Sequence, residues 1–473
     1  METSNHIVVT SIALFSHQSS IIEFCKRLID INKQFHATCI FPTIDAPIPS
    51  TLKLLESLPS SINCIFLPPI KKQNLPQDVF SQTLQTFSHS MQSFRETLRL
   101  SSTSTKPLVA IIADPFASQA IEIAKEFNLL SFIYFPFSAM TTSLQLYLPT
   151  LHQQVSCEHK DHTHLIQIPG CIPIRSQDLP PEIFRDRISY ELALQHCKMI
   201  PLADGVVFNS FLEMEESTVK NLQYNNNLLV YVVGPIIQTG SNSKNQSNGS
   251  VCVKWLDNQK PNSVLYVSFG SGGTLSQQQL NELAFGLELS GQKFLWVVRE
   301  PSKSSNVDYQ SVENVDDDDD IFKYLPNGFL ERTKDQGLVV PLWVPQTQIL
   351  SHSSTGGFLT HCGWNSILES IFEGVPIITW PLFADQGVND ILLTEGLKVG
   401  LKVKFNEING VAERDEIGKV IRDLMIGEER SEIQQRIYEL KDAANGALAK
   451  DGSSIRALSH LGTQMKSKGI NKV

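Results

Sequence analysis

Residues 343–386 read WVPQTQILSHSSTGGFLTHCGWNSILESIFEGVPIITWPLFADQ, and the order of elements in this stretch decides the fold. TGGFLT is a short apolar strand ending at Thr360. HCGW, residues 361–364, is a turn whose glycine is expected at its tightest point. NSILESIFEG has the spacing of an amphipathic helix, with Leu368, Ile371 and Phe372 on one face. Gly374 and Pro376 stop that helix, and IITW resumes as a strand. A strand that delivers the chain through a glycine turn onto a helix N-terminus makes an anion site. The first-turn N–H groups lack intrahelical acceptors, and the helix dipole favours negative charge there. Physics alone therefore points to a phosphorylated ligand at Asn365 and Ser366, with His361 beside it.

Outward from this stretch the same rhythm recurs. In the first half HIVVTSIAL (6–14), FHATCIFPT, INCIFLPP, PLVAIIAD (107–114) and LLSFIYFPF read as strands. Helical patterns separate them, among them residues 21–31 and 78–100. Apolar runs alternating with amphipathic helices mean parallel strands covered on both faces, a doubly wound sheet with ligands beyond its carboxyl ends. Residues 150–200 lose the rhythm, and the proline-rich IPGCIPIRSQDLPPEIF reads as a pocket-lining loop. QTGSNSKNQSNGS (238–250) has no apolar residue and reads as a solvated linker, which places the domain boundary there. Strand–helix alternation then resumes through SVLYVSFGS (263–271) and FLWVVRE to helices near 413–425 and 428–448, and a last short helix.

At 473 residues the chain is too long for one ordinary core and suggests two domains. A net charge of −10 excludes a binder of the nucleic-acid backbone, which needs a basic face. The eight cysteines lack paired spacing and read as buried thiols of a reducing compartment. No apolar run has the roughly 20 residues of a membrane span. The N-terminus lacks a basic region, so no signal peptide is expected, and the expected location is cytoplasmic. The five aspartates at 316–320 read as a solvated loop, without the glycine and glutamate of a calcium loop.

Several residues carry candidate chemistry. His17 follows the first strand and precedes the first helix, and Asp114 ends the apolar strand PLVAIIAD. Both belong at one sheet edge, where a His–Asp dyad provides a base with a fixed tautomer; Asp114 as a cap of the next helix is the competing reading. Glu369 either closes a capping box with Ser366 or takes ribose hydroxyls. Trp343 either stacks on a base or belongs to the core. Asp385 and Gln386 form a polar pair after a strand, suited to several hydroxyls. FGSGG (269–273) is a weak dinucleotide fingerprint, yet Ser271 and its glycines can bring backbone close to phosphate. Cys157, His159, His162 and His164 fit no standard zinc spacing, so no metal is expected.

Taken together, W-x-P-Q, H-C-G-W-N-S-x-L-E-S and the closing D-Q closely resemble the 44-residue donor signature of the plant family-1 UDP-dependent glycosyltransferases. SVLYVSFGSGG, LPNGFLERT, the early histidine and the strand-ending aspartate also have counterparts there. The branch it resembles glucosylates phenolics such as monolignols and hydroquinone. The resemblance implies a GT-B fold, two doubly wound Rossmann-like domains facing across a cleft. It assigns residues 1–240 to the acceptor, 251–450 to the UDP-sugar, and 451–473 to a helix crossing back.

The resemblance also implies roles. Trp343 would stack on uracil, with Val344 and Gln346 at the nucleoside and Glu369 at the ribose. His361, Asn365, Ser366 and Ser271 would hold the diphosphate, and Trp364, Asp385 and Gln386 the sugar, with glucose favoured by the glutamine. No metal would be needed. His17 would deprotonate the acceptor, Asp114 would orient it, and the anomeric carbon would invert. Phe116, Tyr134, Phe137 and Phe184 are the expected wall for a small aromatic acceptor, and a monomer is expected. Ser16 and Ser20 stand where many relatives carry glycine and proline, which leaves a nucleotide-sugar-binding protein with little turnover as the alternative.

Overall fold

A computed structural model of the chain describes residues 4–102, 106–154, 165–184, 187–225, 228–237, 246–302 and 321–470. It divides into two compact units. Unit 1 comprises Met1–Gln177, Pro181–Thr239 and Ala444–Val473, and unit 2 comprises Asp178–Pro180 and Gly240–Ala443.

Unit 1 is built on strands β1 (Asn5–Thr10), β2 (Phe35–Phe41), β3 (Ile62–Phe66), β4 (Leu108–Ala113) and β5 (Leu130–Phe135). A two-stranded antiparallel pair follows, β6 (Leu165–Ile166) with β7 (Ile174–Arg175), then β8 (Gly205–Phe208) and β9 (Leu229–Val232). Seven of these form a parallel sheet in the order β3-β2-β1-β4-β5-β8-β9. Its strands are apolar on both sides because both faces are covered. Ile7 and Val9 pack with Phe24, Cys25 and Leu28 of the helix Phe15–Ile31 and with Leu458, Leu461 and Met465 of the final helix. Val8, between them, points the other way onto Phe87, Phe94 and Leu98 of the helix Val79–Ser102.

Unit 2 repeats the plan with β10 (Val264–Ser268), β11 (Lys293–Val298), β12 (Gly337–Pro341), β13 (Thr355–Thr360), β14 (Ile377–Thr379) and β15 (Gly400–Lys402). All are parallel, in the order β12-β11-β10-β13-β14-β15. Leu265 and Val267 face the helix Gln277–Ser290, whereas Val264 and Tyr266 face Cys252, Leu256 and Leu350.

In each sheet the strand order reverses once, between β1 and β4 and between β10 and β13. At such a reversal the following loops diverge to opposite faces and leave a crevice, where doubly wound sheets bind ligands. The two candidate sites lie at these positions.

The structure amends several sequence readings. Residues 246–250, read as linker, open the helix Gln246–Asp257. Residues 150–200, read as irregular, include the end of the helix Ala139–Gln154, the short helix Pro181–Phe184 and the helix Arg187–Met199. The last helix runs 18 residues, Ser453–Ile470, and is not short. Residues 316–320, Cys157, His159, His162 and His164 lie outside the described residues, as do 238–245 of the linker.

Candidate active site

The site in unit 1 follows from strand register. Thr10 is the Cα partner of Ala113, and Asp114 N donates to Thr10 O at 2.9 Å, so the chain leaves β1 and β4 side by side. His17 was expected in a loop, but the helix after β1 begins at Phe15, which puts the histidine in its first turn. Its Nδ1 lies 2.7 Å from Asp114 Oδ2. The same carboxylate oxygen accepts from Ser11 Oγ at 3.2 Å, and Oδ1 accepts from Phe116 N at 2.9 Å. Capping and pairing were alternatives in the sequence; the aspartate does both, one oxygen holding the turn Pro115–Ala117 and the other the imidazole. Asp114 is fully buried, whereas the His17 side chain keeps 17% exposure.

Phe116 is half-buried and central to an aromatic group. Its ring lies 5.7 Å from His17, 6.3 Å from Phe80, 6.5 Å from Phe137 and 5.5 Å from His196. Phe137 is 6% exposed and supports that group from behind. Tyr134 does not line a wall. It is fully buried, stacks on Phe24 at 4.7 Å, and bonds Ser20 Oγ at 2.8 Å. Burial pushes its phenol well above the ordinary value. Phe184 ends the short helix Pro181–Phe184, with its side chain outside the described residues. Ser20 lies inside the first helix rather than in a loop.

The site in unit 2 forms the same way. Ser268 pairs with Thr360, so FGSGG and HCGW leave adjacent strands together. The left-handed residue of the HCGW turn is Cys362, at φ +65°, and not the glycine. Gly363 is needed for space instead, since a Cβ there would stand 2.4 Å from His361 Nε2. From the other loop Gly270, at φ +72°, places its own imagined Cβ 2.5 Å from His361 Cε1. The imidazole is thus held between two backbones where only glycine fits. Burial lowers its pKa to about 4, and the Arg299 guanidinium adds to the effect, so the ring is neutral at pH 7. Arg299 also fixes the glycine loop, donating to Gly270 O at 3.2 Å and Gly273 O at 3.3 Å.

The helix Trp364–Glu373 has Gly363 as its N-cap, and its first internal bond runs from Ile367 N to Gly363 O. Asn365 and Ser366 therefore lie in a first turn whose amides point out of the helix end, suited to phosphate. Ser366 is the third helical residue and cannot close a capping box with Glu369. Gln346 Nε2 instead bridges them, at 3.0 Å from Ser366 Oγ and 2.7 Å from Glu369 Oε2. Burial raises the Glu369 carboxyl to about 7. Trp343 is 36% exposed and follows Leu342 at φ +64°, so it is not a core tryptophan. Val344 is buried among Val340, Ile349 and Leu350, which leaves only its backbone for a ligand.

Trp364 is 4% exposed and Gln386 3%. Leu382 N and Phe383 N donate to Gln386 Oε1, at 2.8 and 3.0 Å, which fixes the amide. Asp385 Oδ2 accepts from Asn389 Nδ2 at 3.0 Å. Ser271 is exposed beside Gly270. Among the described residues no group of three or more His, Cys, Asp or Glu is placed to hold a metal. Arg299, Ser11, Phe80, Ser118 and His196 escaped the sequence reading. Only Arg299 carried a signal there, a charge ending the apolar run FLWVV.

Comparison with known proteins decides what these two crevices belong to. Residues 238–424 match the family model described as UDP-glucoronosyl and UDP-glucosyl transferase. The chain is 45% identical to hydroquinone glucosyltransferase of Rauvolfia serpentina over 475 residues, covering 99% of each. The chain belongs to the plant family-1 UDP-dependent glycosyltransferases. This glycosyltransferase is also 39% identical to UDP-glycosyltransferase 72B1 of Arabidopsis thaliana, over 98% of the chain and 96% of the relative. Among solved structures it resembles a Polygonum tinctorium UDP-glucosyltransferase capable of glucosylating indoxyl, in complex with 3,4-dichloroaniline. There the TM-score is 0.89 at 42% identity, covering 98% of this chain and 100% of that one. Phytolacca americana UGT2, complexed with UDP-2fluoro-glucose and pterostilbene, gives a TM-score of 0.89 at 39% identity, with 98% and 100% covered. The glycosyltransferase therefore has the GT-B fold.

Proposed function

We propose that the chain is an inverting, UDP-glucose-dependent O-glucosyltransferase of a small plant phenolic, working in the cytoplasm without a metal. The observation that carries the reading is the 2.7 Å pair of His17 Nδ1 and Asp114 Oδ2 beneath the half-buried Phe116. Asp114 holds the imidazole with Nδ1 protonated, which leaves Nε2 as a base for a phenolic hydroxyl. In this reading unit 1 takes the acceptor and unit 2 the UDP-sugar. Trp343 stacks on uracil, and Gln346 and the backbone of Val344 meet the nucleoside. Glu369 accepts from the ribose, and His361, Asn365, Ser366 and Ser271 hold the diphosphate. Trp364, Asp385 and Gln386 meet the glucose.

The acceptor oxygen forms its bond to the anomeric carbon as the bond from that carbon to the UDP oxygen breaks. The phenolic proton passes to His17 Nε2, and UDP leaves as the anion that the helix N-terminus stabilises. Attack from the side opposite UDP gives a β-glucoside. The names of the relatives support an aromatic acceptor, since one is a hydroquinone glucosyltransferase and another is in complex with pterostilbene. Little-turnover binding, raised by Ser16 and Ser20, gains nothing from the structure: Ser20 is buried in its helix, and His17 keeps its aspartate.

Incubation with UDP-glucose and a phenolic panel, followed by mass spectrometry and NMR of the anomeric centre, should give β-glucosides. His17→Ala should abolish them. No product from any phenol, with His17→Ala indistinguishable from wild type, would sink the reading.

A further inference from the structure

The turn that carries Asp114 orients a second histidine. His196, in the last turn of the helix Arg187–Met199, places its Nδ1 3.0 Å from Ser118 Oγ. Ser118 lies four residues beyond Asp114 and directly follows the turn Pro115–Ala117. The ring of Phe116, midway along the same segment, lies 5.7 Å from His17 and 5.5 Å from His196, nearly parallel to the latter at 20°. One five-residue segment therefore fixes two imidazoles by their Nδ1 atoms and sets an aromatic ring against both.

The two histidines differ at the other nitrogen. His196 Nε2 is buried and has no hydrogen-bond partner among the described residues. Burial lowers the imidazole to about 4, so it is neutral at pH 7, with Nε2 either a donor or an acceptor according to the tautomer. A buried polar atom without a partner costs about 1–3 kcal/mol, and native chains rarely keep one without a use. Neutrality makes His196 a poor partner for an anion and a good one for a hydroxyl, which both donates and accepts.

We propose that His196 Nε2 is the polar subsite for a second hydroxyl of the aromatic acceptor, remote from the hydroxyl that His17 deprotonates. The inference rests on the phenolic reading above and narrows it to diphenols and their hydroxylated relatives. In this proposal Phe116, half-buried and stacked on the imidazole, rotates to admit the hydroxyl to Nε2. Side-chain rotamer changes of this kind are common where a partner binds.

The test compares hydroquinone with p-cresol, which carries a methyl group in place of the second hydroxyl. Wild type should favour hydroquinone in kcat/KM by at least about fivefold, and His196→Phe should cut that ratio by roughly 5- to 150-fold, the cost of leaving one buried hydroxyl without its partner. His196→Gln, which keeps a donor and an acceptor, should restore part of it. Thermal unfolding against wild type checks that both variants fold, since His196 lies in unit 1. A wild type indifferent to the second hydroxyl overturns the proposal without any variant. Equal losses on both acceptors in His196→Phe also overturn it, because a residue that merely braces Ser118 and Phe116 would act on both alike. Failure of wild type to glucosylate either compound, or any other phenol, fells the proposed function itself, and this subsite with it.

Discussion

Replacing Asp114 by asparagine changes one oxygen into an amide nitrogen and leaves volume and shape almost untouched. The consequences follow from what each oxygen holds. Oδ1 accepts from Phe116 N at 2.9 Å, while Oδ2 accepts from His17 Nδ1 at 2.7 Å and Ser11 Oγ at 3.2 Å. An asparagine has one acceptor for these two duties. If its carbonyl keeps the Phe116 amide, its NH2 faces His17 and forces Nδ1 to accept, which moves the ring proton to Nε2. The base is then blocked by its own proton. If the carbonyl turns to His17, its NH2 meets the Phe116 N–H in a fully buried place, a mismatch costing about 1–3 kcal/mol. Even in that orientation the imidazolium formed on proton transfer loses the carboxylate that balances its charge.

Asp114→Asn should therefore lower kcat by roughly 10²–10⁴, the range for a positioned general base, and by up to about 10⁴ where the wrong tautomer dominates. The KM for UDP-glucose should stay within about threefold, since Asp114 belongs to unit 1 and the donor residues to unit 2. Initial rates of glucoside formation, measured by chromatography against both substrates, provide the assay. The pair acts as one device, so His17→Ala combined with Asp114→Asn should be no slower than the slower single variant. A kcat within fivefold of wild type, or additive losses in the double variant, would refute the dyad.

Two further perturbations test the donor side. Burial raises the Glu369 carboxyl from 4.5 to about 7, so the folded chain holds this proton more tightly than the unfolded one. Its stabilising contribution is complete below pH 4.5 and is lost as pH rises through 7. Glu369→Gln should therefore be the more stable protein at pH 8, by at most roughly 3 kcal/mol, and lose that advantage at pH 4. In wild type the UDP-glucose KM should rise as pH falls below about 7, because the protonated carboxyl offers the ribose one acceptor fewer; a flat thermal-shift difference across that range counts against the assignment. Trp343→Ala should weaken UDP by about 1–3 kcal/mol in calorimetry, the worth of one base stack. Its unliganded Tm should hardly move, since the side chain is 36% exposed, and an unchanged UDP affinity would remove Trp343 from the uracil site.

Much of this arrangement was legible before any coordinate. Continuous apolar runs alternating with helical patterns of period 3.6 specify parallel strands with helical crossovers, and right-handed crossovers leave few topologies. His17 and Asp114 are 97 residues apart, yet both follow apolar strands, and one sheet edge is where such residues collect. Burial was not legible to the same degree. Tyr134 and Phe116 look alike as aromatics near sheet-edge positions, but Tyr134 is within β5, on the face that Phe24 covers, whereas Phe116 stands beyond the end of β4. Glu369 was ambiguous because a capping box depends on one residue of register at the helix start. The helix begins at Trp364, two residues before Ser366, and that shift frees the carboxylate for Gln346.

His196 was illegible for a different reason. Its helix carries Ser189, Tyr190, Ala193, Leu194 and Cys197 on a buried face, a pattern readable in principle within a stretch whose prolines suggested a loop. What no local pattern contains is its contact with Ser118, 78 residues earlier. A serine after Asp-Pro-Phe-Ala looks like turn chemistry, and an aspartate before it looks like a cap. Only once the helix Arg187–Met199 is laid against this turn does the segment 114–118 acquire a second duty. Asp114 then holds the His17 imidazole by accepting a hydrogen bond, and Ser118 holds the neutral His196 imidazole at 3.0 Å, with the Phe116 ring 5.7 and 5.5 Å from the two. With the roles proposed for His17 and His196, choice and activation of the acceptor are anchored to the same five residues, so an exchange at Ser118 should disturb selectivity and one at Asp114 should disturb rate.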